Sequence, residues 1–159
     1  MTTPMKFASA LGLLLALLAG CAATPEASRE RDAEAKRFET APRTAIIFLY
    51  RADTPSNGAT ATLWMDGRLI GQSLQTTYFR VFARPGRNII TVAGSDMGRI
   101  EIDTSADGIY FIAMQVFGDA EGSSRTVFRS VPPETGKAQI LRCCTLLETW
   151  QPGQTRLPL

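Results

Sequence analysis

The sequence predicts an all-β fold, an antiparallel two-sheet sandwich of seven to eight strands with a short C-terminal helix. Three observations carry that expectation. From Thr44 onward, short apolar or alternating runs are separated by Gly, Pro, Asp and Asn. Two of those runs, 44–51 and 108–118, are apolar on both alternations, as strands covered on both faces are. Turn signals recur at intervals of about 8 to 12 residues, the rhythm of a sandwich.

The elements follow in order. "TAIIFLYR" (44–51) is a central strand, and the loop after it carries Asn57 and Gly58, which suit positive φ. "TATLWMDGRLIGQSL" (60–74) is a hairpin turning at Asp66 and Gly67, because an Asp-Gly pair accommodates the left-handed turn that matches strand twist. "TTYFRVFARPGRNIITVAGS" (76–95) repeats the device with Pro85 and Gly86 at the turn. Phe79, Val81 and Ala83 lie on one face of its first strand, and Tyr78, Arg80, Phe82 and Arg84 on the other. In "GRIEIDTSADG" (98–108) Ile100 and Ile102 point inward against Arg99, Glu101 and Asp103. "GIYFIAMQVFG" (108–118) is a second central strand, and 125–131 forms the last long one. After Val131 the period changes. Pro133 and Glu134 suit a helix start, with Ile140, Leu141, Cys144 and Leu147 on one face, although Gly136 is unfavourable in a helix and the end returns toward strand.

Ahead of this domain, "MTTPMK" places Lys6 before the apolar segment 7–19, which is shorter than the about 20 residues that span a bilayer. A basic start, an apolar middle and a small-residue exit are the marks of a secretory signal, expected here over 1–20. Leu18, Ala19, Gly20 and Cys21 resemble the lipobox of bacterial lipoproteins. The resemblance implies a diacylglyceryl group and an N-acyl chain on Cys21, with no cofactor beyond that lipid. Each buried methylene contributes about 0.8 kcal/mol, so two or three acyl chains hold a protein on a membrane. Ala22 stands where aspartate serves as an inner-membrane retention signal, so the expected location is the outer membrane facing the periplasm. The periplasmic face of the inner membrane is the alternative. Residues 21–43, rich in Ala and charge, read as the lipidated cysteine and a polar linker that forms at most a marginal helix, with Thr24 as its cap and an Asp32–Lys36 pair. As a flexible chain it would hold the domain (44–149) roughly 25 Å from the anchor. The tail 150–159 is expected to fray.

The succession "AIIFLYR", "WMDGRLIGQ", "YFRVFARPGRNIITV", "GIYFIAMQV" and "VPPETGKAQILRCC" resembles the DUF2846 family of small, often lipid-anchored bacterial proteins. More distantly it resembles PEGA-type surface repeats, which share an Asp-Gly hairpin followed by a Pro-Gly turn. Those marks are turn and core residues, so the resemblance implies a fold and no catalytic residue.

The chemistry is narrowed further by composition. Seventeen Lys and Arg against fifteen Asp and Glu leave a nearly neutral chain, which makes no electrostatic case for nucleic acid. There is no histidine, which excludes Ser/His/Asp and Cys/His catalysis and removes the commonest transition-metal ligand. Asp53, Asp66, Asp96, Asp103, Asp107 and Asp119 mostly fall in turns, where aspartate caps its own backbone, so neither a metal site nor a paired-carboxylate site is expected. Adjacent Cys143 and Cys144 have three readings: a vicinal disulfide, a bridge to another chain, or thiols filling the core. Packing is the favoured one. Tyr78, Arg80, Phe82 and Arg84 form a candidate binding surface for headgroups, glycan or an acidic envelope protein. The resulting expectation is a lipid-anchored, non-catalytic binding or assembly module of the periplasm, not an enzyme. Its alternative is a redox or hydrolase accessory protein using Cys143 and Cys144 or a carboxylate pair.

Overall fold

The computed structural model describes residues 24–52, 59–93, 98–118 and 124–149. Among them are nine strands in two sheets and two short helices. The helices are α1 (Arg29–Ala35) and α2 (Pro133–Cys143). The strands are β1 (Ala45–Arg51), β2 (Ala61–Met65), β3 (Arg68–Ser73), β4 (Thr77–Ala83), β5 (Gly86–Val92), β6 (Arg99–Thr104), β7 (Ile109–Phe117), β8 (Arg125–Val131) and the two-residue β9 (Thr145–Leu146). One sheet runs β8-β7-β1-β4-β9 and the other β3-β2-β5-β6.

Between the sheets lies a core of Ile47, Leu49, Val81, Ile112 and Met114 from the first sheet and Leu63, Met65, Ile70 and Ile90 from the second. A second apolar layer covers the outer face of the five-stranded sheet. There Phe48, Tyr78 and Phe111 pack under Ala35 of α1 and Ile140 of α2. The both-sided burial of β1, whose seven residues are all buried, follows from this arrangement. The Phe48 and Phe111 rings stack at 5.2 Å, and Phe38 meets both edge-on at 5.1 and 5.7 Å. Aromatic pairs of this kind contribute about 0.5–1.5 kcal/mol beyond their burial.

The structure corrects four of the sequence expectations. The larger sheet is mixed, because β7 runs parallel to β1 and β9 parallel to β4. Alternation reports which faces are covered and carries no information on strand direction. Pro85 and Gly86 do not close a hairpin: β1 and β9 already occupy both edges of β4, so the chain crosses to the other sheet, where β5 pairs with β2 and β6. Asn88 holds that corner, donating to the Arg84 and Gly86 carbonyls at 3.0 Å and to Thr104 Oγ1 at 2.9 Å. The helical face is shorter than expected, with Leu141 58% exposed and Cys144 already extended.

The fourth correction concerns the linker, which packs on the body from Thr24 onward. Thr24 Oγ1 accepts from the Gln72 amide at 2.7 Å, Ala27 N donates to the Leu146 carbonyl at 2.8 Å, and Glu26 bridges Leu147 in antiparallel register. The helix cap is Ser28 and not Thr24. Asp32 fastens α1 through one carboxylate. Its Oδ1 accepts from Tyr78 Oη and from Leu146 N, both at 2.9 Å, and its Oδ2 accepts from Lys36 Nζ at 2.6 Å.

By contrast, the Asp66-Gly67 turn forms as read, with φ of 50° and 76°. Gly136 has a packing reason for standing in α2: a methyl group there would lie 2.4 Å from Phe111 Cγ and 2.5 Å from its Cβ. Gly→Ala inside a helix ordinarily gains about 1 kcal/mol. Here the overlap reverses the sign, and Gly136→Ala is expected to lower stability by about 1–3 kcal/mol in urea unfolding. Asp32→Ala should cost about 1–3 kcal/mol by stranding Tyr78 Oη and the Leu146 amide. In limited trypsinolysis of that variant, the first cuts should fall at Arg29, Arg31, Lys36 and Arg37, while Asp32→Asn, which keeps an acceptor oxygen, should resist longer.

Candidate functional site

Rows of side chains cross the outer face of the five-stranded sheet, and two of them define a cleft. In the first row the register places Phe48 beside Phe111 and Phe111 beside Val131, and α2 rests on it with Gly136 over the Phe111 ring. Two residues along the strands, the next row is Tyr50, Ala113 and Arg129. The small Ala113 between two long side chains leaves a hollow under the helix. The cleft there has a volume of about 330 Å³.

Tyr50 forms one wall and donates its hydroxyl hydrogen bond to Gln139 Oε1 on α2. Burial raises the Tyr50 phenol above its ordinary value, so this group is a neutral donor across the physiological range. Arg129 from β8 and Arg142 from the last turn of α2 stand at the rim, with Thr135 and Gln115 also lining it. No Asp or Glu belongs to the lining, and neither arginine has an ion-pair partner among the described residues. Two guanidinium forks beside an amide and a hydroxyl form a donor-rich site suited to a carboxylate, phosphate or sulfate group.

Cys143 and Cys144 are joined to each other by a disulfide immediately after Arg142, with 3.7 Å between their Cα atoms. Of the three readings open to the sequence this is the vicinal disulfide, and the favoured packing of free thiols is corrected. Cys144 still fills core space, being 4% exposed, while Cys143 is partly open to solvent. The pair lies on the chain where α2 ends and β9 begins.

The surface expected from Tyr78, Arg80, Phe82 and Arg84 is divided by α1. Tyr78 is buried beneath that helix and bonded to Asp32, with Lys36 Nζ 5.8 Å from its ring centroid. Arg80 is largely covered, pairs with Glu34 at 3.3 Å, and lies 5.1 Å from the Phe82 ring centroid. Only Phe82 (51% exposed) and Arg84 remain at the surface. Tyr78, Arg80 and Phe82 do share one face of β4, while Arg84 lies past its end, and the helix that covers half of that face comes from a segment with no apolar stripe. Cys21, Leu18, Ala19 and Gly20 lie outside the described residues, as do Asp53, Asp96 and Asp119.

Arg129 and Arg142 were not singled out by the sequence, since they are thirteen positions apart on different kinds of element. The available signal was the small Ala113 inside an otherwise bulky strand, together with Thr135, Gln139 and Arg142 spaced along one side of a helix. Among the described residues no helix is long and apolar enough to cross a membrane, and no group of three His, Cys, Asp or Glu could hold a metal ion. No family model, curated protein or solved structure matches this chain, so the reading of the site rests on its geometry.

Burial is the main cause that raises the Tyr78 phenol well above the ordinary value of 10.0. The hydrogen bond to Asp32 and its negative charge add to it, and Arg80 opposes. A raised phenol contributes stability that is complete below the unfolded value and is lost as pH climbs toward the folded one. Thermal stability should therefore hold up to about pH 10 and then fall steadily. In Tyr78→Phe the protein should be weaker at neutral pH and show a shallower alkaline decline, measured by melting temperature against pH.

Proposed function

We propose that this chain is a lipid-anchored, non-catalytic binding module of the bacterial cell envelope. Its anchor is Cys21, and its binding face is the cleft under α2. The lipobox-like Leu18-Ala19-Gly20-Cys21 supports the anchor, with the outer membrane facing the periplasm as the location and the resemblance to the DUF2846 family as part of the same reading. The observation that carries the binding role is the Tyr50-Ala113-Arg129 row, which leaves an open hollow rimmed by two arginines that have no ion-pair partner among the described residues. A protein or glycan partner presenting an anionic group fits that chemistry.

A second reading is favoured by the Cys143–Cys144 disulfide at the end of α2, one residue from the cleft's Arg142. In that reading the pair exchanges with a partner's thiols, and the cleft positions the partner.

Photocrosslinking in living cells from a probe at Thr135, with identification of the crosslinked species, separates the two. The wild-type chain should yield a discrete adduct that disappears in Arg129→Glu/Arg142→Glu and in Ala113→Met, which fills the hollow, while both variants remain folded. Cys143→Ser/Cys144→Ser should retain it. Loss only in the cysteine variant would establish the exchange reading, and an adduct unchanged in all of them would remove the cleft from function.

A further inference from the structure

The docked N-terminal segment sets which end of the molecule meets a membrane, an inference that rests on lipidation at Cys21. The antiparallel Glu26–Leu147 bridge and the parallel pairing of β9 with β4 orient the segment. Followed backward from Glu26 to Thr24, it runs in the direction of β4, from Thr77 toward Ala83. The Asp66-Gly67 turn lies at that same end, because β2 starts near Arg51, whose Nη1 donates to the Ala59 carbonyl at 2.6 Å, and ends at Met65. Three residue steps separate Cys21 from Thr24, a reach of at most about 11 Å. A body fixed at Thr24 therefore cannot stand off from a lipid on Cys21.

That end carries cations. Arg43 precedes β1, Arg68 opens β3 and Arg84 follows β4. All three are exposed, and none has an ion-pair partner among the described residues. The carboxylates nearby are engaged. Asp66 Oδ1 accepts from the Ile89 amide at 2.8 Å and Asp107 Oδ1 from the Arg43 amide at 2.7 Å, while Asp103 faces Arg87 at 3.9 Å. On the outer face of the same hairpin, Trp64 is 36% exposed and sits opposite Leu69. Tryptophan and arginine at one level are the side chains that favour a bilayer interface, where the indole lies among headgroups and the guanidinium meets phosphate.

We propose that this end of the sandwich, with Arg43, Arg68, Arg84 and Trp64, seats on the surface of an anionic phospholipid bilayer. The acyl chains on Cys21 supply the attachment, and these four residues set the orientation.

The test uses the full lipid-bearing chain with Trp150→Phe, so that Trp64 is the sole tryptophan, in vesicles of phosphatidylethanolamine and phosphatidylglycerol with brominated acyl chains. The chain should float with the vesicles, and Trp64 emission should shift to the blue and lose intensity relative to unbrominated lipid. Arg43→Gln/Arg68→Gln/Arg84→Gln should float equally and lose the quench. A tryptophan at the far sheet edge, Ser130→Trp in a Trp64→Phe/Trp150→Phe background, should be unquenched. Flotation without quenching of Trp64, or with quenching unchanged in the triple variant, overturns the orientation and leaves the anchor standing. A chain that does not float overturns the anchor and the orientation with it.

Discussion

One carboxylate holds this fold closed. Asp32 accepts hydrogen bonds from the Tyr78 hydroxyl, the Leu146 amide and the Lys36 ammonium, so α1, β4 of the large sheet and its edge strand β9 meet at two oxygens. The charge is affordable there because three donors surround it, two of them charge-assisted or fixed in the backbone. With α1 in place, Phe38 can lie on Phe48 and Phe111, and the outer face of the five-stranded sheet becomes a second core. Without it, Phe48, Tyr78 and Phe111 would lose the cover that α1 and Phe38 give to this face, leaving α2 to shield it alone. The polar helix has little apolar surface of its own and is held chiefly by this carboxylate and by Ala35, with Glu34 pairing Arg80 and Arg31 pairing Glu148 at its exposed side.

What was legible in the sequence was local. Asp66-Gly67 reads as a turn because both residues must adopt positive φ, a property of two adjacent positions. Runs apolar on both alternations read as covered strands because each face reports its own burial. Partner identity is not local in this sense. The parallel pairing of β1 with β7 joins residues more than sixty positions apart, and either direction satisfies the same alternation. Gly136 illustrates the limit well, since helix propensity marks it as a fault and only the Phe111 ring explains it. Tyr78 failed as a surface residue for the opposite reason: its face was right, and its cover came from a segment whose composition resembles a tether.

The cleft is a product of register. Ala113 is an ordinary small residue in an apolar strand, and it becomes consequential only because pairing sets it between Tyr50 and Arg129 while α2 spans above. The neighbouring row, filled by Phe48 and Phe111, supports the helix and keeps it from collapsing into the hollow. Tyr50 then ties Gln139 to the sheet, so the helix is seated at two points along its length with the hollow beside the second. A cleft built between rigid elements loses little conformational freedom on binding, which favours recognition by a few well-placed donors.

The proposed anchor and the proposed recognition site are also separated by the topology. The N-terminal segment lies against β9, whereas Arg129 belongs to β8 at the other edge, four strand spacings or about 19 Å away. Along the strands the separation runs the same way. Tyr50 is next to the Arg51 end of β1, whereas Arg43 and Arg84 flank its Ala45 end and Arg68 stands at the Asp66-Gly67 turn of the other sheet. If the second group seats the body on a bilayer as proposed, the first group faces away from it. A free tether would let the cleft tumble through all directions, whereas under the proposed lipidation of Cys21 a segment docked from Thr24 would convert the position of the anchor into the direction of the proposed binding face.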